Sequence, residues 1–395
     1  MICDLRYGSR MSLSRCPVHS HRHSMDPRGC GSSEDIYKRL RVDNIGNASE
    51  TFPDDHPTGA GAAMDPSSDH TDVGADYSHD GTILFSVDDV SSFVIPDTVK
   101  EIDLFAFKDC RSLKEVRMPD SVTFIGSSAF EGCVSLGLVH IPASVRLIED
   151  YAFVGCVSAW FEVDEGNECY SSEDGALYDK DGKVLIAGFP LVHDGRCEIP
   201  DHVTRIGNSA FDCCSSLEEV HIPDSVTEIG ASAFQHCSSL REIDIPDSVV
   251  GIGSFAFLCC RRLERVRISG SVEEIDLGAF DCCLNASFDV DERNRFFSSE
   301  RGALFDKDGK TLLIGYQLVH GGVCVIPETV TSIGYGAFDC CKSLKEMRIH
   351  ASVTDIEENA FDDCGFVYFT VNRRNRYYYS TRYGELIRYR CCGLL

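Results

Sequence analysis

The motif Ala-Phe-x-x-Cys recurs nine times in this 395-residue chain, and its copies stand at nearly fixed spacing. Successive phenylalanines of the motif are 23 residues apart within three runs: Phe107, Phe130 and Phe153; Phe211, Phe234, Phe257 and Phe280; Phe338 and Phe361. A fixed period of this length is typical of a protein in which one small unit cannot bury its apolar face alone and stacks on copies of itself. The sequence therefore predicts one elongated repeat solenoid rather than two or three globular domains.

Each repeat is predicted to hold two short strands and a bend, as residues 217–237 illustrate. Apolar and polar residues alternate around Val220 and Ile222, which is the pattern of a half-buried strand with its apolar side chains in the core. Pro223 cannot donate to a strand ladder and ends this strand, and the Asp-Ser pair after it favours a turn. The spacing within the Ala-Phe-x-x-Cys motif indicates a short helical turn that presses Phe234 into the core.

Residues 222–237 read Ile-Pro-Asp-Ser-Val-Thr-x-Ile-Gly-x-x-Ala-Phe-x-x-Cys. This sequence resembles the hallmark of the BspA-type leucine-rich repeats, and the resemblance extends from about Phe93 to the C-terminus. It differs from other leucine-rich repeats because no asparagine ladder follows the strand. The resemblance implies a right-handed, curved β-solenoid of short strands that binds proteins or other surfaces. Because family members include cell-surface adhesins and intracellular proteins, it implies the fold more narrowly than the function.

Two longer intervals interrupt the period, and they hold two copies of one insert, near 161–198 and 288–325. Each copy carries Asp-Lys-Asp-Gly, at 179–182 and 306–309, between strand-like segments, which predicts a hairpin. The glycine comes too early in this sequence for a calcium-binding EF-hand loop. We predict three parts of the chain: a disordered leader over 1–80, the solenoid over 81–365, and a truncated insert that caps the C-terminal end over 366–395.

The net charge of −26 disfavours nucleic acid as a partner, because phosphate binding depends on lysine and arginine replacing counterions. No apolar run of about 18 residues predicts a membrane span. Residues 1–25 show arginine and histidine where a secretion signal needs an apolar core, so we expect an intracellular, cytoplasmic protein. Because Met11 and Met25 are further possible start residues, the position of the true N-terminus stays open.

The cysteines of the nine motifs are predicted to be buried free thiols, because a reducing compartment keeps thiols reduced and cysteine packs as a small apolar residue. A second cysteine precedes four of them, at Cys213, Cys259, Cys282 and Cys340. We predict that these four face outward, with no obvious basic neighbour. The leader cluster of Cys16, His19, His21, His23 and Cys30 matches no compact zinc finger. We therefore predict neither a metal nor a cofactor.

No nucleophile elbow, phosphate loop, dinucleotide fingerprint or zinc-protease motif occurs in the sequence, which predicts a protein that is not an enzyme. The C-terminal run from Arg373 to Arg390 interleaves arginine and tyrosine, as surfaces that bind single-stranded nucleic acid do. We favour another interpretation, in which its tyrosines pack on the preceding turn and its arginines pair with the acidic body.

The outward positions of the strands are free to vary, and we expect them to form a charged stripe that binds another protein. The identity of that protein and the oligomeric state stay open. Two other hypotheses are a cell-surface adhesin with a missed secretion signal and a thiol-based redox or metal sensor. Leu138 is also an outward position. The predicted protein-binding residues are Glu115, Arg117, His140, Glu219, His221, Glu242, Asp244, Arg265, Arg267, Glu346 and Arg348.

Overall fold

The structure is a computed structural model, and it describes residues 74–389. Each repeat contributes one strand of two to five residues to each of two parallel ladders, which confirms the predicted β-solenoid. The apolar and polar residues around Val220 and Ile222 alternate because one side of the strand faces the core, as predicted. Val220 and Ile222 are buried, while Glu219 and His221 are exposed. The predicted disordered leader lies outside the described residues as far as residue 73.

One ladder is built from what we call the first strands, and seven of the twelve that the structure describes are followed by a proline within two residues. Within each group of this ladder, neighbouring first strands pair in parallel and in register, as Glu242 does with Arg265 and Asp244 with Arg267. Among the described strands, the pairing stops at the two inserts and between Glu219–His221 and Glu242–Ile245. Within the described residues the first strands are Ser92–Val94, Glu115–Arg117, Leu138–Ile141, Trp160–Val163, Arg196–Glu198, Glu219–His221, Glu242–Ile245, Arg265–Ile268, Ser287–Val290, Val323–Val325, Glu346–Ile349 and Tyr368–Val371.

The other ladder is built from the second strands, which follow the proline turn. They fall into three parallel groups, separated by the two inserts. In chain order the second strands are Ile83–Val87, Glu101–Ile102, Phe124–Ile125, Leu147–Ile148, Val184–Ala187, Arg205–Ile206, Glu228–Ile229, Gly251–Ile252, Glu274–Ile275, Thr311–Ile314, Ser332–Ile333 and Asp355–Ile356.

Antiparallel strands occur at the inserts and at both ends of the described chain. A strand that we predicted to lie in the leader, Ala75–Tyr77, pairs with Ile83–Val87, because Asp80 accepts hydrogen bonds from Ser78 and Thr82 and holds the turn between them. The leader therefore ends earlier than residue 80. The remaining antiparallel strands are Tyr170–Glu173, Ala176–Asp179, Val192–His193, Phe297–Glu300, Ala303–Asp306, Val319–His320, Tyr378–Ser380 and Leu386–Arg388, and the two 3-10 helices are Phe189–Leu191 and Tyr316–Leu318.

The motif phenylalanines form the centre of the core. Their rings stack nearly parallel, with centroids 4.7 Å apart for Phe107 and Phe130 and 5.1 Å apart for Phe211 and Phe234. Each stack ends where a phenylalanine from a first strand meets the last ring edge-on, as Phe161, Phe288 and Phe369 do. Since burial of one phenylalanine contributes roughly 1.5–3 kcal/mol, these stacks are a substantial source of cohesion between repeats.

The Ala-Phe-x-x-Cys segment, predicted as a short helical turn, is a series of tight turns instead. Its backbone amides bond to the next repeat, so that Phe211 N donates to Ala233 O at 2.8 Å and Phe234 N to Ala256 O at 2.7 Å. An amide used in this way cannot also donate within a helix. These bonds form a further column of contacts along what we call the turn edge of the solenoid.

The motif cysteines are buried, as predicted, and each thiol has a specific position. The sulfur of Cys237 donates to the carbonyl of Phe211 at 3.2 Å, and that of Cys283 donates to the carbonyl of Phe257 at 3.0 Å. Burial raises the pKa of these thiols, so both are held in the neutral form that donates. Seven of the nine motif thiols join a repeat to an earlier one in this way, whereas those of Cys214 and Cys341, which follow the inserts, contact serine hydroxyls.

A buried asparagine fixes the start of each insert. Asn294 donates to the carbonyls of Ser269 and Val272, both at 2.9 Å, and accepts from the amides of Phe296 and Phe297. Asn167 and Asn375 make the same four bonds in their own copies. The sequence analysis missed these residues, although the spacing of 127 residues between Asn167 and Asn294 that relates the two inserts would have revealed them.

Candidate functional site

The exposed side chains of the first strands form what we call the strand face. Of the eleven residues predicted to bind protein, Glu346 is half-buried and the others are exposed. They alternate along each strand with buried residues such as Val116, Ile243 and Val266, so the packing of the core fixes their direction. The structure thus places the predicted residues on one set of strands.

The inserts divide the strand face into three segments. No backbone pairing joins Trp160–Val163 to Arg196–Glu198, or Ser287–Val290 to Val323–Val325, among the strands that the structure describes. The predicted single stripe is therefore three shorter surfaces, over 92–163, 196–290 and 323–371. The reason is that an insert strand, Val192–His193 or Val319–His320, pairs with the first strand that follows the insert.

Ion pairs within the strand face satisfy several of its charges. Arg117 pairs with Glu115 at 2.8 Å, Arg348 with Glu346 at 2.9 Å, and Arg265 with Glu242. Such exposed pairs contribute little to stability. Within residues 74–389, Arg267 forms no ion pair, and it lies in register between Asp244 and Asp289. Its guanidinium is the cation of the central segment that remains available to a partner.

An aromatic residue that the sequence analysis did not select stands out on the first segment. Trp160, the only tryptophan of the chain, is 46% exposed. Its ring lies over the backbone of Gly175, where an added Cβ would come within 2.3 Å of it. In register beside it is Leu138, also exposed. Alignment of Phe161 with the buried strand valines would have placed Trp160 at an outward position.

A second group of residues lies on the turn edge, and we call it the thiol ladder: Cys213, His236, Cys259, Cys282 and Cys340. Each residue of the ladder precedes a motif cysteine and has a positive φ, between 58° and 64°. Glycine, or Asp as in Asp109, fills this position in earlier repeats, as expected for a left-handed conformation. Their side chains do not face outward as predicted, since Cys282 is buried and the other three cysteines are half-buried.

Residues of the thiol ladder contact one another along the stack. The Cys213 sulfur lies 3.9 Å from Nδ1 of His236, which lies 3.4 Å from a carboxylate oxygen of the buried Asp212. The hydrogen bond with Asp212 is the main cause that raises the pKa of His236. A hydrogen bond with Cys282 lowers the pKa of Cys259, and the same bond raises the pKa of Cys282. The sequence analysis found no basic neighbour here, yet His236 is one repeat from both Cys213 and Cys259.

The Asp-Lys-Asp-Gly sequences form hairpin turns, as predicted. A carboxylate oxygen of Asp179 accepts from the amides of Lys183 and Val184 at 2.6 and 2.8 Å. Asp306 makes the matching bonds in the second insert. These oxygens serve the turn itself.

The Arg-Tyr run forms a hairpin that packs in part on the preceding repeat. Tyr378 is buried, and Arg388 pairs with Asp355 at 3.0 Å, in agreement with the favoured interpretation. Tyr377, Tyr379 and Tyr383 are nevertheless exposed. The leader cluster from Cys16 to Cys30, for which no metal was predicted, lies outside the described residues.

Over residues 74–389, the structure contains no helix with the length and apolar character needed to cross a bilayer.

Comparison with curated proteins gave no match. Solved structures with a similar arrangement are a leucine-rich cell surface protein from Faecalibacterium prausnitzii (27% identity, TM-score 0.43, 72% of this chain and 61% of that one) and the pneumococcal vaccine antigen PcpA (19% identity, TM-score 0.45, 77% and 78%). A leucine-rich repeat protein from Eubacterium ventriosum is similar at 19% identity, with a TM-score of 0.43 and coverage of 74% and 80%. The chain spans about three fifths of the Faecalibacterium protein.

The family model for the BspA-type leucine-rich repeat region matches six copies in this chain, over residues 81–178, 195–300 and 323–383. These ranges cover most of the two strand ladders and the phenylalanine stacks. The chain belongs to the BspA-type leucine-rich repeat family.

Proposed function

We propose that this protein is a non-catalytic binding protein and that it recognises another protein through the strand face. The observation that carries the proposal is a rigid array of exposed side chains, anchored on strands whose other side chains are buried. Repeat proteins bind through extended surfaces of this kind. Side chains already held by a packed ladder lose little further freedom on binding, so less of the interaction energy is spent on ordering them.

The chemistry of the strand face favours a folded protein partner with both charged and apolar contacts. Trp160 and Leu138 offer an apolar anchor on the first segment, and tryptophan is enriched among the residues that dominate binding energy. On the central segment Arg267 alternates with Asp244 and Asp289. Such alternation of sign suits a surface of mixed charge better than a polyanion, which the net charge of −26 would repel.

Substitutions on the strand face are expected to weaken this binding. The full chain captures its partner from the native cell, and the purified partner is then titrated against each variant. Trp160→Ala should weaken the affinity about 30-fold, the effect of losing an anchor worth about 2 kcal/mol. Arg267→Glu should weaken it about tenfold, because the new carboxylate lies between two others.

Matched controls carry the same chemical changes away from the strand face. Phe366→Ala removes an aromatic ring that is 71% exposed, and Arg262→Glu reverses an exposed arginine after a motif cysteine. Both controls should bind the partner as the unaltered chain does. Equal binding by Trp160→Ala and Arg267→Glu, or an equal loss in the controls, would refute a role for the strand face.

An intracellular location is part of the proposal, and the motif cysteines support it. Seven of the nine donate an S–H group to a backbone carbonyl, a role that a disulfide sulfur cannot fill. We expect nearly all 21 cysteines to react with a thiol reagent when protein from native cells is denatured with a chelator present. Several cysteines that react only after reduction would favour a secreted adhesin instead.

A further inference from the structure

The thiol ladder carries chemistry that neither the core nor the strand face uses. Its position in the repeat has a left-handed backbone, which favours glycine, asparagine and aspartate. Yet Cys213, Cys259, Cys282 and Cys340 occupy it, and His236 occupies it between the first two. A side chain at this position points along the stack and meets the equivalent side chain of the next repeat, as Cys213 meets His236. The repeat thereby brings cysteine, histidine and aspartate ligand types together.

One such group lies where the chain crosses the second insert. Cys282 precedes the insert, whereas Asp339 and Cys340 follow it, and the three ligand atoms all lie within 4.8 Å of one another. The Cys282 sulfur lies 3.6 Å from a carboxylate oxygen of Asp339. The turn edges on either side of the insert therefore meet directly. Cys259 lies at the same left-handed position of the preceding repeat, where its amide donates to the carbonyl of Asp281 at 2.9 Å, and it is the candidate for a fourth ligand.

A buried carboxylate beside this group lacks a partner. Asp281 is only 5% exposed, and within residues 74–389 its Oδ1 finds no hydrogen bond. It lies against the turn edge after the insert, because a Cβ on Gly336 would come within 2.6 Å of Oδ1. Burial of an unpaired carboxylate is costly unless a positive charge compensates it. A cation at the neighbouring thiols and Asp339 would provide that compensation.

We propose that Cys282, Asp339 and Cys340, with Cys259 as the fourth ligand, bind one thiophilic divalent cation such as Zn²⁺. Thiolate sulfur and carboxylate oxygen are ordinary zinc ligands, and four of them complete its tetrahedral shell. Sulfur atoms in such a shell are roughly 3.8 Å apart, which a small closure of the present cluster would reach. Each thiol gives up its proton to solvent as it coordinates. The cation would fasten the repeat before the second insert to the repeat after it.

The observations favour this group over the other possible site on the ladder. Asp212, Cys213 and His236 also lie close together, but there the buried carboxylate already accepts from the imidazole. The observations at Cys282, Asp339 and Cys340 also favour a bound cation over a disulfide. A disulfide between Cys282 and Cys340 would not use the carboxylate of Asp339 and would leave Asp281 unpaired.

The test uses the reduced full chain, loaded with Co²⁺ as a spectroscopic probe and then titrated with Zn²⁺. Cys340→Ser preserves size but removes a soft, half-buried ligand, and it should weaken metal affinity at least about tenfold with loss of thiolate-to-cobalt absorbance. Asp281→Asn should also weaken affinity, because it removes the neighbouring negative charge. Cys169→Ser changes a half-buried cysteine of the first insert, and Cys16→Ser changes one of the leader. Both should bind as the unaltered chain does. Far-ultraviolet circular dichroism of each variant confirms that it has folded.

Three results would overturn the proposal. The first is a reduced, folded chain without thiolate-to-cobalt absorbance. The second is metal binding that Cys16→Ser or Cys213→Ser abolishes while Cys340→Ser leaves it intact, which would place the metal in the leader or at His236. The third is a disulfide formed by Cys282 in protein alkylated at the moment of cell lysis, which would make the ladder a redox element.

Discussion

Replacement of Phe234 by alanine is expected to lower the free energy of unfolding by about 3–5 kcal/mol. The side chain is fully buried, and its ring stacks between those of Phe211 and Phe257, with centroids 5.1 and 5.3 Å away. Removal of the ring interrupts the stack and leaves a cavity that the hydrogen-bonded turn edge cannot easily close. Urea-induced unfolding followed by circular dichroism measures the change.

Phe366→Ala is the matched control, because this ring is 71% exposed. Its free energy of unfolding should stay within about 0.5 kcal/mol of the unaltered chain. If Phe234→Ala were equally mild, the phenylalanines would not form the continuous stack, and the alignment of the repeats would be wrong.

Replacement of Asn294 by alanine is expected to cost about 4 kcal/mol. The side chain is 1% exposed and makes four hydrogen bonds, two to carbonyls of the preceding turn and two from amides of its own insert. Each bond contributes about 1 kcal/mol, and the buried groups left behind gain no new partner. The same unfolding experiment measures the loss.

Asn285→Ala provides the comparison, since that side chain is exposed and makes one bond, to the carbonyl of Arg261. A change of no more than about 1 kcal/mol is expected for it. Similar, small losses in both variants would show that Asn294 does not hold the insert to the preceding repeat.

The sequence predicts the repeating part of this fold well because one physical requirement recurs every 23 residues. Each copy must bury its motif phenylalanine, as at Phe234, and apolar and polar residues must alternate along its first strand, as around Val220. The two ladders therefore follow from the spacing. The two hairpins are predictable for a similar reason, since Asp-Gly turns such as those of Asp179 and Asp306 are local. The leader boundary was less predictable, because the turn at Asp80 uses residues that are also common in disordered segments.

Contacts across the inserts could not be predicted from the spacing. The long interval between Phe280 and Phe338 shows that residues are added, but not which side of the solenoid they occupy. Only the structure shows that the added strands open the strand face and let Cys282 meet Asp339 on the turn edge. The inward direction of the thiol ladder was also hidden, because it depends on a left-handed backbone at residues that seldom adopt one.

Hydroxyl-radical footprinting of the full chain, alone and with its captured partner, tests the proposed binding face most directly. The method labels exposed side chains, and Trp160, His140 and His221 report on the strand face while Phe105 and Phe366 report on other surfaces. The account predicts that the partner lowers labelling of Trp160 and at least one of the two histidines and leaves Phe105 and Phe366 unchanged. Unchanged labelling of Trp160, His140 and His221, with protection elsewhere, would contradict it.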